Sequence, residues 1–167
     1  MDLEKYLSMN APDTHITTDI TVKISEALFR LTTECVRQFS NEQKAYASIS
    51  QVIDARTRKA VANGRYLDRD MISAHLAAIG SDGPISISLT FEEGSIPLIA
   101  ELRADVSQIV TRDLSVIDAI SVLLFDYIAE QESARLATRL GLRGDEASHY
   151  RDMLITHRNN VIKFRRH

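Results

Sequence analysis

The histidines and the single cysteine are the residues whose types could support catalysis or metal binding. Cys35 is the only cysteine, so the chain can form neither an internal disulfide nor a cysteine-based zinc site. Glu146 and His149 have the Glu-x-x-His spacing of di-iron carboxylate bundles. Those bundles need a second such motif and two further inward glutamates, and the sequence holds no second copy. The sequence therefore predicts no metal site and no cofactor.

The glycine and serine patterns of the common enzyme classes are absent. The six glycines form neither a dinucleotide-binding fingerprint nor a phosphate loop, and no Gly-x-Ser-x-Gly elbow occurs. Cys35 falls on the apolar face of a predicted helix, where a cysteine acts as a small hydrophobe. His75 lies near the apolar side of another helix and is expected to be a hydrogen-bonded histidine at the edge of the core. We predict a protein with no catalytic residues; a small enzyme with dispersed site residues is the third alternative.

The segment Gln131–Tyr150 has the outline of a DNA-binding helix-turn-helix. Ala137 would lie where two helices pack closely, and Gly141 would form the turn. Such a unit places its second helix in the major groove of DNA. Three leucines are predicted to face the core, namely Leu136, Leu140 and Leu142. The same pattern is typical of a plain helical hairpin, in which the glycine only ends a helix.

Basic residues are concentrated in the same part of the chain. Between Arg135 and His167 there are eight basic and three acidic residues, a net charge of +5 in a chain whose total is −3. This imbalance favours an acidic partner or nucleic acid, although cations also complement the dipole of a C-terminal helix. If the segment binds DNA, the candidate contact residues are Arg143, Ser148, His149, Thr156, Lys163, Arg165 and Arg166.

Length and composition indicate one folded domain. The chain has 167 residues, of which 44% are hydrophobic and 26% are charged, as in an ordinary globular protein. No apolar run is long enough to span a membrane, and no secretory leader is recognisable. We expect a cytoplasmic protein in which residues 1–17 are a loosely ordered lead-in and residues 18–167 form a single globular domain.

Hydrophobic periodicity predicts an α+β fold that is predominantly helical. A long N-terminal helix is expected to end at Asn63–Gly64, and Ser40–Asn41 is the place where it would break. Residues 20–24 fit both the alternation of a strand and the spacing of a helix, so their structure is left open. A short second helix follows, with Asp68 or Asp70 as its N-cap.

The second half of the chain is predicted to contain one β-hairpin and two helices. The hairpin covers residues 84–103, with Pro97 on an edge strand. The central helix, at about 115–140, is apolar nearly all round and therefore buried. A C-terminal helix covers about 145–164, so that residues 131–164 form a basic helical hairpin. Because a two-stranded ribbon is marginal alone, it must lie on helices, add residues 20–24 as a strand, or pair with another subunit.

These observations predict a non-enzymatic regulatory or adaptor protein that binds another macromolecule as a homodimer. Edge strands and long helices are common places for a two-fold contact. The expected partners are another protein and a second copy of the chain, with no membrane involved. The alternative is a small DNA-binding transcriptional regulator that uses the C-terminal hairpin and the basic tail Lys163–Arg166.

Overall fold

The fold, taken from a computed structural model, is predominantly helical α+β, as the periodicity predicts. The structure describes residues 17–64, 67–146 and 148–149. The chain divides into two compact units, Met1–Phe125 and Asp126–His167. Residues 1–16 of the predicted lead-in and residues 150–164 of the predicted C-terminal helix lie outside the described residues.

The described part of the chain contains a two-stranded antiparallel sheet and five helices. In chain order the elements are β1 (Thr17–Ile24), α1 (Glu26–Gln43), α2 (Ile49–Asn63), α3 (Arg69–Ala78), β2 (Ile85–Glu92), α4 (Ser95–Val110) and α5 (Val116–Arg139). β2 packs on α2 and α4, and these two helices pack on each other. None of the described helices combines the length and the apolar character needed to cross a bilayer.

The predicted long N-terminal helix is two helices, α1 and α2, separated by a turn. The break falls a few residues after Ser40–Asn41. Lys44 takes a left-handed conformation with φ 54°, and its N–H bonds to the carbonyl of Ser40, which ends α1. Ser48 then begins α2 through a capping box with Gln51, in which each side chain accepts from the other residue's backbone N–H.

The predicted β-hairpin is wrong in its second half. Residues 85–91 do form a strand, but residues 96–102 belong to helix α4. Ile99, Leu102 and Val106 are buried at the spacing of one helical face, and this period prevails over the apparent alternation. Pro97 lies in the first turn of α4, where its missing N–H would have no intrahelical partner.

The partner of β2 is β1, which settles residues 20–24 as strand. The register pairs Ile24 with Ile85 and Thr17 with Glu92, with one partner for each residue. The loop before β2 crosses the end of β1, where Ser25 N–H donates to the Ser81 carbonyl at 3.0 Å. A Cβ atom on Gly83 would lie 2.4 Å from the Cα of Ser25, so only glycine fits at this crossing.

Helix α5 confirms the predicted central helix. Ser115 and Asp118 form the expected capping box, since Asp118 N–H donates to the Ser115 hydroxyl and Ser115 N–H donates to the Asp118 carboxylate, both at 3.0 Å. The buried side chains of the part of α5 in the first unit are Ala119, Ile120, Ser121, Val122, Leu123 and Leu124. An uninterrupted buried run covers every direction around the helix, as expected for a helix enclosed by its neighbours.

Candidate interaction surface on strand β1

The two faces of the sheet differ completely in chemistry. Because side chains alternate along a strand, the register places Thr17, Asp19, Thr21 and Lys23 on one face with Ser86, Ser88, Thr90 and Glu92. On this polar face Thr90 donates its hydroxyl to the Asp19 carboxylate at 2.7 Å. Lys23 has no ion-pair partner among the described residues.

The apolar face of the sheet is only partly covered by the helices. Ile24, Leu89 and Phe91 are buried. Ile20, which lies opposite Leu89, keeps 39% of its surface exposed, and its neighbour Val22 is half-buried. The strand thus carries exposed apolar surface along the half that is farther from Ile24.

The hydrogen bond between β2 and α2 identifies which edge of the sheet is open. Thr90 N–H donates to the Ser50 hydroxyl at 2.9 Å, so the backbone groups of Thr90 point toward α2 and away from β1. In an antiparallel pair the residue opposite must then also point its backbone groups away from its partner strand. That residue is Asp19.

Because the backbone N–H and C=O groups of successive residues point to opposite edges of a strand, every second residue of β1 has the same orientation as Asp19. Asp19, Thr21 and Lys23 direct their N–H and C=O groups to the outer edge, whereas Ile20 and Val22 bond to β2. β1 contains neither proline nor a bulge over its eight residues. In the described part of the chain no strand pairs with this outer edge. An unpaired regular edge of this kind is a template for another strand.

The structure describes only three of the seven candidate DNA-contact residues. Arg143, Ser148 and His149 are exposed and follow one another after α5. Thr156, Lys163, Arg165 and Arg166 lie outside the described residues. Asp145 and Glu146 are also exposed between Arg143 and Ser148, which lowers the positive charge of the described stretch.

The predicted turn at Gly141 is present. Gly141 has φ 75°, its N–H donates to the Thr138 carbonyl, and Leu142 N–H donates to the Ala137 carbonyl; this is the Schellman ending of a helix. Ala137 is buried as expected. The predicted core contacts of two leucines are wrong, because Leu136 is 39% and Leu140 is 53% exposed.

Cys35 is confirmed as a buried small hydrophobe. Its sulfur lies 3.5 Å from the carbonyl oxygen of Leu124, to which the thiol donates. Burial, reinforced by the charge of Glu34 and opposed by that of Arg56, raises the pKa of the Cys35 thiol to about 12. The thiol is therefore protonated at neutral pH and is not an activated nucleophile.

His75 is confirmed as a hydrogen-bonded histidine. Its Nε2 atom lies 2.8 Å from the hydroxyl oxygen of Ser121, and its ring stacks on Phe125 with centroids 4.4 Å apart. Both His75 and Ser121 are buried. Burial lowers the pKa of the His75 imidazole, so the ring is neutral in the folded protein at pH 7.

A polar cluster that no sequence pattern predicts lies at the start of α4. Asp54 is half-buried and accepts a hydrogen bond from Ser95, and Arg58 lies 3.4 Å from both Ser95 and Glu92. Burial raises the pKa of Asp54, with a smaller effect of the same sign from Glu92. Among the described residues, no group of three or more His, Cys, Asp or Glu side chains is arranged to hold a metal ion.

Comparison of the chain with protein-family models, curated proteins and solved structures finds no match. Without a match, the protein is characterised by its fold and its surface alone. It is a predominantly helical α+β protein whose described residues present one open strand edge beside exposed apolar surface.

Proposed function

We propose that this protein is a non-enzymatic cytosolic regulator or adaptor that acts by binding polypeptides along β1. The observation that carries the proposal is the outer edge of β1, where Asp19, Thr21 and Lys23 present their backbone groups next to the exposed side chain of Ile20. Proteins bind extended segments at such edges by adding a strand, with backbone hydrogen bonds supplying affinity and side chains supplying specificity.

The limited protection of β1 within the described part of the chain supports a functional use of the edge. Proteins normally shield an edge strand with proline, a bulge, a short length or a covering helix. β1 has eight regular residues, and among the residues that the structure describes only its charged side chains, Asp19 and Lys23, oppose unwanted pairing. An edge strand with this little protection, beside the exposed side chain of Ile20, is more consistent with a binding surface than with an edge that has no function.

Site-specific photocrosslinking in cells tests this proposal. A photoreactive residue replaces Thr21 on the open edge, and in a matched control it replaces Glu101, an exposed residue of α4. We expect adducts with polypeptides, further copies of this chain included, at position 21 and none at position 101. Equal labelling at the two positions, or no polypeptide adduct at position 21 of the folded protein, contradicts the proposal.

DNA binding is the second candidate function. It is favoured by the exposure of Arg139, Arg143 and His149 around the turn that ends α5. Arg135, in contrast, is paired with Glu132. The exposed arginines supply the phosphate attraction that non-specific DNA binding needs, and the salt titration described in the Discussion separates this function from polypeptide binding.

A further inference from the structure

We propose that the occupant of the β1 edge is β1 of a second copy of this chain, antiparallel and centred on Thr21. This inference rests on the proposed function, because it names which polypeptide binds to the same edge of β1. In this arrangement a two-fold axis passes between the two Thr21 residues. Asp19 of each copy then lies opposite Lys23 of the other, and Ile20 lies opposite Val22.

The backbone orientation of β1 permits this register. Asp19, Thr21 and Lys23 all point their backbone groups outward, so Thr21 with Thr21 and Asp19 with Lys23 are hydrogen-bonded pairs. Each such pair in an antiparallel sheet exchanges two hydrogen bonds. The three pairs across the axis therefore form about six backbone hydrogen bonds.

The charges on the polar face select the register. Pairing centred on Thr21 sets Asp19 against Lys23 on both sides of the axis. It supplies a carboxylate to the ammonium group of Lys23, which has no ion-pair partner among the described residues. A shift by two residues in either direction puts both charges opposite neutral residues. A shift by four puts Asp19 opposite Asp19 or Lys23 opposite Lys23, and like charges directly opposite each other destabilise a strand pair.

The apolar face agrees with the same register. Ile20 and Val22 are the partly exposed apolar residues of β1. In this register they form the non-hydrogen-bonded pairs, in which facing side chains approach most closely. The contact therefore covers apolar surface that the chain's own described helices leave exposed, and β-branched pairs of this kind stabilise a sheet.

The fold also limits the assembly to two copies. The other edge of the sheet is occupied where Thr90 bonds to Ser50 of α2. In the described part of the chain this bond obstructs pairing along β2, so we expect the two β1 edges to pair, the two sheets to join into four strands, and the contact to close on itself. A contact of this type is isologous and produces a dimer, not a filament.

Disulfide trapping in the purified protein tests the register. In the proposed dimer the two Thr21 Cα atoms lie about 5.5 Å apart, within disulfide range. The matched control is Thr17→Cys, on the same face of the same strand, because two residues at position 17 are about 27 Å apart in this register. The native Cys35 is buried and does not compete.

We expect Thr21→Cys to form a covalent dimer under mild oxidation by dissolved oxygen, and Thr17→Cys to remain monomeric on a non-reducing gel. Cross-linking of Thr17→Cys as fast as Thr21→Cys overturns the register. A wild-type protein that is monomeric by light scattering at micromolar concentration overturns the dimer itself.

A charge exchange gives an independent test. Asp19→Lys and Lys23→Asp should each weaken the dimer, because each places like charges opposite each other, and the double variant should restore it. Circular dichroism verifies that all three variants are folded. Failure of the double variant to regain the wild-type dimer constant overturns the Asp19–Lys23 pairing.

The two proposals fail separately. The trapping assay contains no other polypeptide, so a monomer whose position 21 still labels other polypeptides in cells overturns only the second-copy inference. The absence of any polypeptide adduct at position 21 in cells overturns the proposed function, whereas adducts with further copies of the chain support both proposals.

Discussion

The backbone N–H of Thr90 donates to the hydroxyl of Ser50 at 2.9 Å, and this bond occupies one edge of the sheet. Ser50 is buried, so its removal leaves a backbone donor without that acceptor. The bond therefore contributes both to stability and to the asymmetry between the two edges.

Ser50→Ala should lower the free energy of unfolding by about 1–2 kcal/mol, the cost of losing a buried hydrogen bond and leaving its donor unsatisfied. Urea denaturation measures the change. Ser73→Ala, at an exposed position of α3, is the control and should be neutral or slightly stabilising because alanine favours a helix. Equal effects of the two changes would show that the Thr90–Ser50 bond contributes nothing.

Gly83→Ala should be among the most destabilising small substitutions in the chain. The added methyl would lie 2.4 Å from the Cα of Ser25 and 2.6 Å from the carbonyl oxygen of Ile24, and backbone atoms cannot move aside as a flexible side chain can. We expect a loss of about 1–3 kcal/mol or more, the range for overpacking.

Gly80→Ala is the matched control for Gly83→Ala. Gly80 lies three residues earlier in the same connection and has open space around its Cβ position. Thermal melting compares the two variants. A melting temperature of Gly83→Ala equal to that of Gly80→Ala would mean that the loop does not cross β1 as described.

The fold was predictable where its signals are local. The capping residues Asp68 and Ser115, the apolar circumference of α5 and the alternation in β2 each depend on neighbours within a few positions. Such signals set helix starts and strand faces without reference to the rest of the fold.

The pairing of the sheet was not predictable in the same way. A two-residue period fits Ile96, Leu98, Ala100 and Leu102. It predicts a hairpin because a strand nearby in sequence is the commonest partner. The true partner of Leu89 is Ile20, far away in the chain, and no local pattern encodes that contact. The open edge of β1 was missed for the same reason, since an edge exists only once the pairing is known.

Thr111→Gly should stabilise the protein. Thr111 ends α4 in the left-handed region at φ 55°, a conformation that costs an L-residue about 1–2 kcal/mol and is especially unfavourable for a β-branched side chain. We expect a net gain of about 1 kcal/mol or less, because glycine also loses more entropy on folding. Thr111→Val, which keeps the branch, should show no gain by urea denaturation.

The stability of the protein should fall as the pH drops below 6.5 through His75. Burial lowers the pKa of His75 in the folded state below the ordinary value of 6.5, so the unfolded chain takes up a proton first. Its contribution to stability is therefore complete above about pH 6.5 and is lost progressively below it.

Urea midpoints measured between about pH 5 and 6.5, above the range where most carboxylates titrate, test the role of His75. His75→Gln should be less stable at neutral pH but less sensitive to acid. His149→Gln changes an exposed histidine and should keep the wild-type slope. An unchanged slope in His75→Gln would assign the acid sensitivity to other groups.

Titration with mixed-sequence duplex DNA at two salt concentrations decides between the two candidate functions. If polypeptide binding along β1 is the function, no duplex binding tighter than about 10⁻⁴ M is expected at physiological salt, which is the weak end of non-specific affinity. If the basic C-terminal segment, residues 135–167, contacts phosphates, the affinity for DNA should fall steeply with salt. The logarithm of the binding constant should then fall with the logarithm of the salt concentration with a slope of about −0.9 for each contact.

Two sets of substitutions distinguish phosphate contact from sequence recognition in that titration. Changing Arg143, Lys163, Arg165 and Arg166 to alanine should flatten the salt slope, whereas changing His149 and Thr156 should alter the preference between sequences more than the overall affinity. The Thr21→Pro variant is the control for the β1 surface: it removes one outward N–H, leaves the bonds to β2 in place, and should not affect DNA. Micromolar, salt-steep binding that the four alanine substitutions abolish and Thr21→Pro retains would overturn the adaptor function, because the affinity would then depend on the C-terminal cations and not on the open edge of the sheet.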